Sequence, residues 1–376
     1  MNLALSDEQE LLREAARTAL SRHKTIKAAR EVLEGGALPD LWPTAKDAGW
    51  PGLLVSEEQG GAGLGAFDAM LVLQECGRVL AGVPLLGLLP ATAILDAGGY
   101  GDIERVASGE VRAAWLPARP PGDVVGGWTV DPRGGKARAE APSATVDGES
   151  VTLSGTVAFV PDATGADVLV AIGVTEDGEP VAGAVAASAP GVSIEPVTRY
   201  DATRSLAHVT LDGAAGDRLD VSAADLGRAW HLAQALLASE SLGAVEATLE
   251  MSVRYAKERF TFGRAIGSYQ AIKHGLTEVL RRQENVRSLL YYAGWAYADK
   301  PDEFALAASA ARASAGAALD FAARQNITTH GGIGATWEHD APLYFRRAQL
   351  SRRLLGGTGD AMDRVAGELL AAAAAD

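Results

Sequence analysis

Cysteine is nearly absent from this chain of 376 residues, in which Cys76 is the only one. A single cysteine cannot form an internal disulfide or supply a thiolate-rich metal site. It lies in the helical pattern "AMLVLQECGRVL", and we interpret it as core filler. The six histidines are scattered and form no HxxxH or HExxH pair, so the sequence predicts no metal site.

Basic charge and long apolar runs are also lacking. The chain has 34 Lys and Arg against 48 Asp and Glu, a formal net charge of −14. This balance argues against nucleic acid as an obligatory partner, because phosphate binding needs a basic surface. No apolar run is long enough to span a bilayer, and the first twenty residues lack the basic start and apolar centre of a signal peptide. We therefore expect a cytoplasmic protein that binds neither nucleic acid nor membrane.

The pattern of residues changes twice along the chain. Residues 1–112 show helical periodicity, with a loop at "GWPGLLVSEEQGGAGLGAF" and a capping box at Ser6 and Gln9. Residues 113–222 show short β-branched runs separated by Asp–Gly pairs at 147–148, 177–178 and 212–213, which predict turns. Residues 223–376 contain three long helical patterns, typical of a bundle. The sequence thus predicts an α+β protein with an N-terminal helical domain, a middle antiparallel β domain and a C-terminal four-helix domain.

The last helical region is interrupted by two adjacent glycines. Residues 351–365 read "SRRLLGGTGDAMDRV", with Gly356 and Gly357 at the break. A glycine here permits the close approach of a ring or a bulky ligand that a side chain would block. The break is therefore a candidate for part of a functional site.

Two stretches carry a specific resemblance to a known family. They are "RYAKERFTFGRAIGSYQAIKHGLTEV" at 254–279 and "THGGIGATWEHDAPLYFRRAQ" at 329–349. Together they resemble the acyl-CoA dehydrogenase family of flavoproteins. The stretches "VSEEQGGAGLG" at 55–65 and "FVPDATGADVLVAIG" at 159–173 resemble its N-terminal loop and middle domain, so the similarity spans essentially the whole chain in the right order.

The resemblance implies the acyl-CoA dehydrogenase fold and FAD in a cleft between the last two domains. It also implies desaturation of an acyl-CoA thioester between Cα and Cβ, in a dimer or a dimer of dimers, with an electron-transfer flavoprotein or a similar carrier as acceptor. In that chemistry a carboxylate removes the α-proton while the β-hydrogen leaves as hydride to the flavin. The base needs a dry pocket that raises its pKa, and the thioester oxygen needs hydrogen bonds.

Several residues of this sequence match the family's cofactor contacts. Arg259 matches the arginine that contacts the FAD pyrophosphate, often across a subunit interface, and a guanidinium suits that group. Phe262 matches an aromatic residue near the adenine, and Gln270, after Tyr269, matches the polar residue of the family's F-Q pair. The family's glycine-rich turn, which lies close to the FAD of a neighbouring subunit, is matched by Gly331, Gly332 and Gly334. Its threonine near the flavin's phosphate or ribitol is matched by Thr358.

The departures from the family pattern concern the base above all. In single-chain members the break reads E-G-T and its glutamate is the base, whereas the aligned residue here is Gly356. Relatives that carry the base on the first long C-terminal helix place it where this chain has Ala233. Beside the flavin, the family's tryptophan and a hydroxyl residue align with Phe159 and Pro161. The sequence therefore predicts no catalytic base of its own.

Three hypotheses accommodate this pattern. In the first, the chain is the base-lacking partner in a heteromeric α2β2 acyl-CoA dehydrogenase, and it most resembles the base-lacking subunit of the steroid side-chain enzymes of actinobacteria. In the second, it is a self-sufficient enzyme with a relocated base, for which Glu240 and Asp360 are the candidates. In the third, it is a structural or binding paralogue with no flavin role.

Overall fold

The computed structural model describes residues 4–122, 129–130 and 138–375. The N-terminal part contains six helices: α1 (Asp7–Ser21), α2 (Thr25–Glu31), α3 (Trp42–Asp47), α4 (Ala66–Arg78), α5 (Leu85–Ala97) and α6 (Ile103–Ala107). The predicted capping box is confirmed, because the Ser6 hydroxyl accepts from the N–H of Gln9 and the Gln9 side chain accepts from the N–H of Ser6. These bonds satisfy amide groups that the first turn of α1 would otherwise leave unpaired.

The middle part is a seven-stranded sheet. Its strands are β1 (Ala113–Trp115), β4 (Ser143–Asp147), β5 (Ser150–Pro161), β6 (Val168–Val174), β7 (Pro180–Ala186), β8 (Val192–Pro196) and β9 (Leu206–Leu219), while β2 (Thr129–Val130) and β3 (Arg138–Ala139) pair with each other. The pairings run β6–β4–β5–β9–β7 and return to β6, so the sheet closes on itself around an apolar core. Most pairs are antiparallel, as predicted, but β6 runs parallel to β1 and β4, so the sheet is mixed.

One predicted turn of the middle part is wrong. Asp212 and Gly213 lie inside β9, where the pairing shifts register between Leu211 opposite Gly155 and Ala214 opposite Leu153. Gly213 has φ +63°, which fits a bulge that bends the strand without reversing it. The Asp–Gly pairs at 147–148 and 177–178 do lie in the turns after β4 and β6.

The C-terminal part is helical, as predicted. It comprises α7 (Ala223–Glu258), α8 (Gln270–Asp299), α9 (Pro301–His330), α10 (Ala341–Ser351) and α11 (Gly357–Ala375), with a small hairpin of β10 (Phe260–Thr261) and β11 (Arg264–Ala265) between α7 and α8. Glycines let α7 lie directly against α4: a Cβ on Gly77 would overlap the carbonyl of Glu240, and one on Gly243 would overlap the carbonyl of Gln74. The N-terminal helices and the bundle therefore share one continuous core.

Candidate functional site

The turn between α10 and α11 contains the predicted site residue Gly356. Leu355, Gly356 and Gly357 all have positive φ, at +51°, +84° and +80°. Buried side chains hold the turn's carbonyl oxygens. Arg312 Nη2 donates to Ser351 O at 2.6 Å and to Leu354 O at 3.1 Å, and a second donor binds Leu355 O. The turn thus has a fixed, unusual backbone that an L-residue at position 356 could adopt only with strain.

The space beside Gly356 is filled by an ion pair. Arg119, which follows β1, donates to Asp360 in the first turn of α11. A Cβ on Gly356 would lie 2.9 Å from Asp360 Oδ2 and 3.4 Å from Arg119 Nη2. The side chains of this pair are only 4% and 15% exposed. The position at which the family's glutamate begins is therefore occupied by a carboxylate already bound to a guanidinium.

The second predicted base position is also closed. Ala233 is completely buried in α7 within the main core. Its neighbour Gln234 is the donor to Leu355 O, at 2.9 Å, so this part of α7 packs directly against the turn. The two base positions of the family are thus brought together, and neither carries a carboxylate in this chain.

Glu240 lies two turns further along α7, in a buried cluster of charges. Arg204 donates to one of its carboxylate oxygens and Arg347 donates to the other. Arg347 Nε also binds Asp201 at 2.7 Å, and its Nη2 binds Thr203 at 2.6 Å. The charged members of this cluster are at most 8% exposed at the side chain. We call Asp201, Thr203, Arg204, Glu240 and Arg347 the ionic cluster.

A very small cavity borders the ionic cluster. Its walls come from α4, α5, the end of β5, the segments before α5 and β9, Glu240 of α7 and Arg347 of α10, with Leu354 on the side of the turn. It has room for about 20 Å³, the space of a single water molecule. Pockets that enclose ligands usually measure ~300–1,000 Å³. This cavity is therefore too small for a ligand of that kind.

Asp162 closes the β-domain side of this cavity. Burial raises the pKa of its carboxyl to about 6, although the N–H of Gly87 donates to Oδ2 at 2.9 Å and Arg112 lies nearby. Two residues before Pro161, Phe159 has φ +56°, stacks edge-on with His208 at 4.8 Å and lies under the guanidinium of Arg199 at 4.5 Å. His208 and Arg199 thus contact the ring of Phe159, which the sequence predicts to stand where the family has a tryptophan beside the flavin.

The remaining predicted cofactor residues lie at the other end of the bundle. Arg259 ends α7 and is exposed, and the N–H of Ile266 donates to its carbonyl at 2.8 Å. Phe262 occupies the tip of the β10–β11 hairpin with φ +52° and is 93% exposed. Gln270, also exposed, begins α8 immediately after Tyr269, whose hydroxyl braces the hairpin by donating to Thr261 O at 3.1 Å.

The glycine-rich turn follows α9 at the same end. A Cβ on Gly331 or Gly332 would meet nothing within 4 Å, so this backbone is open to a ligand, whereas one on Gly334 would collide with His330. Aromatic contacts join the turn to α7, because the rings of Tyr255 and His330 lie 4.4 Å apart. The structure therefore brings Arg259, Phe262, Gln270 and the glycine turn to one exposed end.

Thr358 does not belong to that group. It packs against Gly316 of α9, where a Cβ on the glycine would overlap its methyl group. Gly316 is fourteen residues before His330, or about 21 Å along the helix. The predicted cofactor residues thus form one group at the exposed end of the bundle and one half-buried residue, Thr358, beside the turn.

Sequence reasoning missed the arginines of the interior. Arg119, Arg312 and Arg347 are buried, and the side chain of Arg204 is only 8% exposed. Arg312 stands alone in an alanine-rich stretch of α9, which was the one available signal. Burial, with a smaller effect of Arg204, lowers the pKa of Arg312 to about 10, so it stays charged at neutral pH. Its positive charge faces the carbonyl end of α10, where cations are favourable.

The described residues contain neither a cluster that could hold a metal ion nor a membrane-spanning helix. Within 4–122, 129–130 and 138–375, no three His, Cys, Asp or Glu side chains are grouped as a metal ion would require. No helix in the same ranges is long and apolar enough to cross a membrane.

The fold and the two glycine turns define the class of protein. The family described as "Acyl-CoA dehydrogenase, N-terminal domain" matches residues 6–120, and "Acyl-CoA dehydrogenase, C-terminal domain" matches residues 228–370. The chain belongs to the acyl-CoA dehydrogenase family, whose members are FAD-dependent oxidoreductases. The resemblance inferred from the sequence and the fold it implied are confirmed.

Within this family, the chain is similar over nearly its whole length to one curated enzyme and to two solved structures. It is 31% identical over 373 residues to acyl-CoA dehydrogenase IpdE2 of Mycolicibacterium smegmatis, covering 97% of this chain and 100% of the relative. It is 30% identical to a structure of a Tcur3481–Tcur3483 steroid ACAD variant, with TM-score 0.85, covering 98% and 99% of the two chains. The ChsE4–ChsE5 complex of Mycobacterium tuberculosis is 25% identical with the same TM-score, covering 98% and 99%.

Proposed function

We propose that this chain is the subunit without a catalytic base in a heteromeric, FAD-dependent acyl-CoA dehydrogenase. Its assembly is α2β2, and a related subunit supplies the glutamate that removes the α-proton. This chain contributes contacts to FAD and to the assembly. The Arg119–Asp360 pair beside Gly356 is the observation that carries the proposal, because it fills the place of the family's base.

The carboxylates of this chain are poor substitutes for that base. Both oxygens of Glu240 accept from guanidinium groups, and Asp360 is bound to Arg119. A base must reach the α-carbon of the substrate within hydrogen-bonding distance of the proton it removes. Here the guanidinium groups already occupy the approaches to both carboxylates, so the relocated-base alternative has little geometric support.

The packing around the two aligned base positions supports the same reading. Ala233 is completely buried, and its neighbour Gln234 donates to Leu355 O at 2.9 Å. The Arg119–Asp360 pair fills the space beside Gly356. We infer that the acyl group of the reaction lies in the partner subunit.

The residues of this chain suit FAD at the Arg259 end of the bundle but not at the wall formed by Phe159 and Pro161. The exposed guanidinium of Arg259 and the open backbone at Gly331 and Gly332 suit a pyrophosphate, and Phe262 and Gln270 flank them. When bound, FAD supplies the acceptor for the β-hydride. The wall at Phe159 and Pro161 offers no hydroxyl, and Pro161 has no N–H to offer. We therefore assign this chain the outer end of a flavin held mainly by the partner.

The substrate and the electron acceptor are proposed from the relatives. The likeness to a structure named as a steroid ACAD favours the CoA thioester of a steroid side chain or another bulky acid. The likeness to two structures that each name two different components favours a heteromer. An electron-transfer flavoprotein is the proposed acceptor.

A purely structural paralogue is the second candidate, and the contacts of His208 and Arg199 with Phe159 favour it. Arg259→Ala separates the two, measured as flavin per complex after co-purification with a glutamate-bearing sister chain. The proposed function predicts a loss of at least about half of the FAD with the complex intact. Unchanged FAD content would favour the structural paralogue.

A further inference from the structure

The two ends of the loop after α9 meet at a pair of histidines. His330 ends α9 and His339 precedes α10, and their rings contact each other with centroids 4.2 Å apart and planes tilted by 45°. The eight residues between them, 331–338, include the open glycine turn and the exposed side chains of Ile333 and Trp337. The ring contact therefore joins the two ends of the loop that the proposed function directs at FAD and the partner subunit.

Hydrogen bonds define the protonation of each ring. His330 Nδ1 lies 2.8 Å from Asn326 O, which can only accept, so Nδ1 carries a hydrogen. His339 Nδ1 accepts from the N–H of Ala341 at 3.1 Å, so this nitrogen must be unprotonated and the ring neutral. Ala341 is the first residue of α10, so a proton on His339 would remove a bond from the helix N-terminus and place a cation at its positive end.

The surroundings also disfavour charge on either ring. Burial lowers the pKa of His330, and Arg254 of α7 adds to the effect, against the favourable bond to Asn326 O. Burial lowers the pKa of His339 as well, together with His330 and Arg30 of α2, against the opposite effect of Asp340. Tyr255 covers the other face of His330, and Arg30 binds Asp340. Cations outnumber anions around the pair.

We propose that His330 and His339 form a clasp that holds the 331–338 loop closed while both rings are neutral, and thereby act as positioning residues for the glycine turn. The proposal rests on the proposed function only for what the loop touches. The closing itself is a property of this chain.

The direction of the pH effect follows from linkage. Each histidine has a lower pKa in the closed loop than in the open loop, where it titrates near 6.5. Closure is therefore fully favoured above pH 6.5 and weakens as the pH falls below it, because the open loop binds protons first. At pH 5.5, a histidine that stays neutral only when the loop is closed shifts the closing equilibrium by about tenfold.

Hydrogen–deuterium exchange of residues 331–341 in the isolated chain tests the clasp. After correction for the intrinsic pH dependence of exchange, protection should fall by at least about threefold between pH 7.5 and 5.5. In the double variant His330→Asn, His339→Asn the fall should almost vanish, because the Asn amide lies where each histidine has Nδ1, can keep the same hydrogen bond, and does not titrate. His23→Gln is the matched control, since His23 binds Thr44 instead, and it should keep the full fall.

Equal protection of the native loop at both pH values would overturn the clasp, and so would a fall that persists in the double variant. In a complex with the sister chain, FAD retained on gel filtration should decline over the same pH range, and in the double variant it should not. Retention that ignores pH would overturn the positioning role. If no sister chain binds at all, the proposed function is wrong. The exchange experiment on the isolated chain tests the clasp independently of that result.

Discussion

Restoring the family's glutamate by Gly356→Glu should not make this chain an enzyme. The backbone at Gly356 has φ +84°, and a side chain in that region costs about 1–2 kcal/mol. The new Cβ also meets Asp360 Oδ2 at 2.9 Å, so the Arg119–Asp360 pair must shift or break. We expect a loss of about 2 kcal/mol in the free energy of unfolding.

Two alanine variants separate the contributions. Gly356→Ala carries the same backbone strain and the same Cβ contact without a carboxylate, so it should lose nearly as much stability as Gly356→Glu. Gly359→Ala adds a Cβ that meets nothing within 4 Å and has no positive φ, so it should be neutral or stabilising by up to about 1 kcal/mol. Urea unfolding of the three variants and the native chain gives these differences.

The activity of the same variants tests the account of the site. Purified alone, with FAD, a bulky acyl-CoA and an artificial electron acceptor, Gly356→Glu should show no more desaturation than the native chain. The reasoning would be refuted by a Gly356→Glu protein that desaturates the substrate and unfolds like the native chain. Such a result would mean that only the acid had been lost and that the pocket remained.

Three further outcomes follow from the buried charges and the exposed hairpin. Glu240→Gln leaves Arg204 and Arg347 with one carboxylate fewer, so the free energy of unfolding, measured in urea, should fall by about 3 kcal/mol. Turnover of the two-chain complex should change less than about threefold, whereas a catalytic role predicts a far larger loss. Phe262→Ser should leave the free energy of unfolding of the isolated chain within about 0.5 kcal/mol of the native value, because the ring is 93% exposed. It should lower the yield of complex on co-purification, and an unchanged yield would contradict the assembly role. Because burial raises the pKa of Asp162 to about 6, this residue weakens the fold as the pH rises from about 4 through 6. Asp162→Asn should therefore raise the free energy of unfolding by about 1–2 kcal/mol at pH 7.5 and by little at pH 4. Equal effects at both pH values would contradict the raised pKa.

The parts of the fold that the sequence predicted depend on local patterns. The capping box at Ser6 and the helix of 36 residues at α7 follow from spacing within a few turns. The bulge at Gly213 was misread as a turn because an Asp–Gly pair has the same local signature in both, and only pairing with β5 distinguishes them. The parallel pairing of β6 with β1 likewise depends on contacts between distant segments.

For the site, the sequence predicts a missing base but not the side chains that surround its place. The alignment of Gly356 and Ala233 with the family's base positions indicated that no base is present. It could not show what fills the space, because Arg119 and Asp360 are 241 residues apart and the partners Glu240 and Arg347 are 107 apart. Charges in the sequence are usually solvated, so these arginines gave little sign that they are buried.

The central claim is that the proton-abstracting acid comes from a second polypeptide. Its most direct test is to co-express this chain with a glutamate-bearing sister chain and to measure bound flavin and desaturation of a bulky acyl-CoA for each chain alone and for the pair. The account predicts a colourless, inactive chain on its own, and a yellow, active α2β2 complex that loses activity when the partner's glutamate is changed to glutamine. A yellow, active homo-oligomer of this chain alone would contradict it.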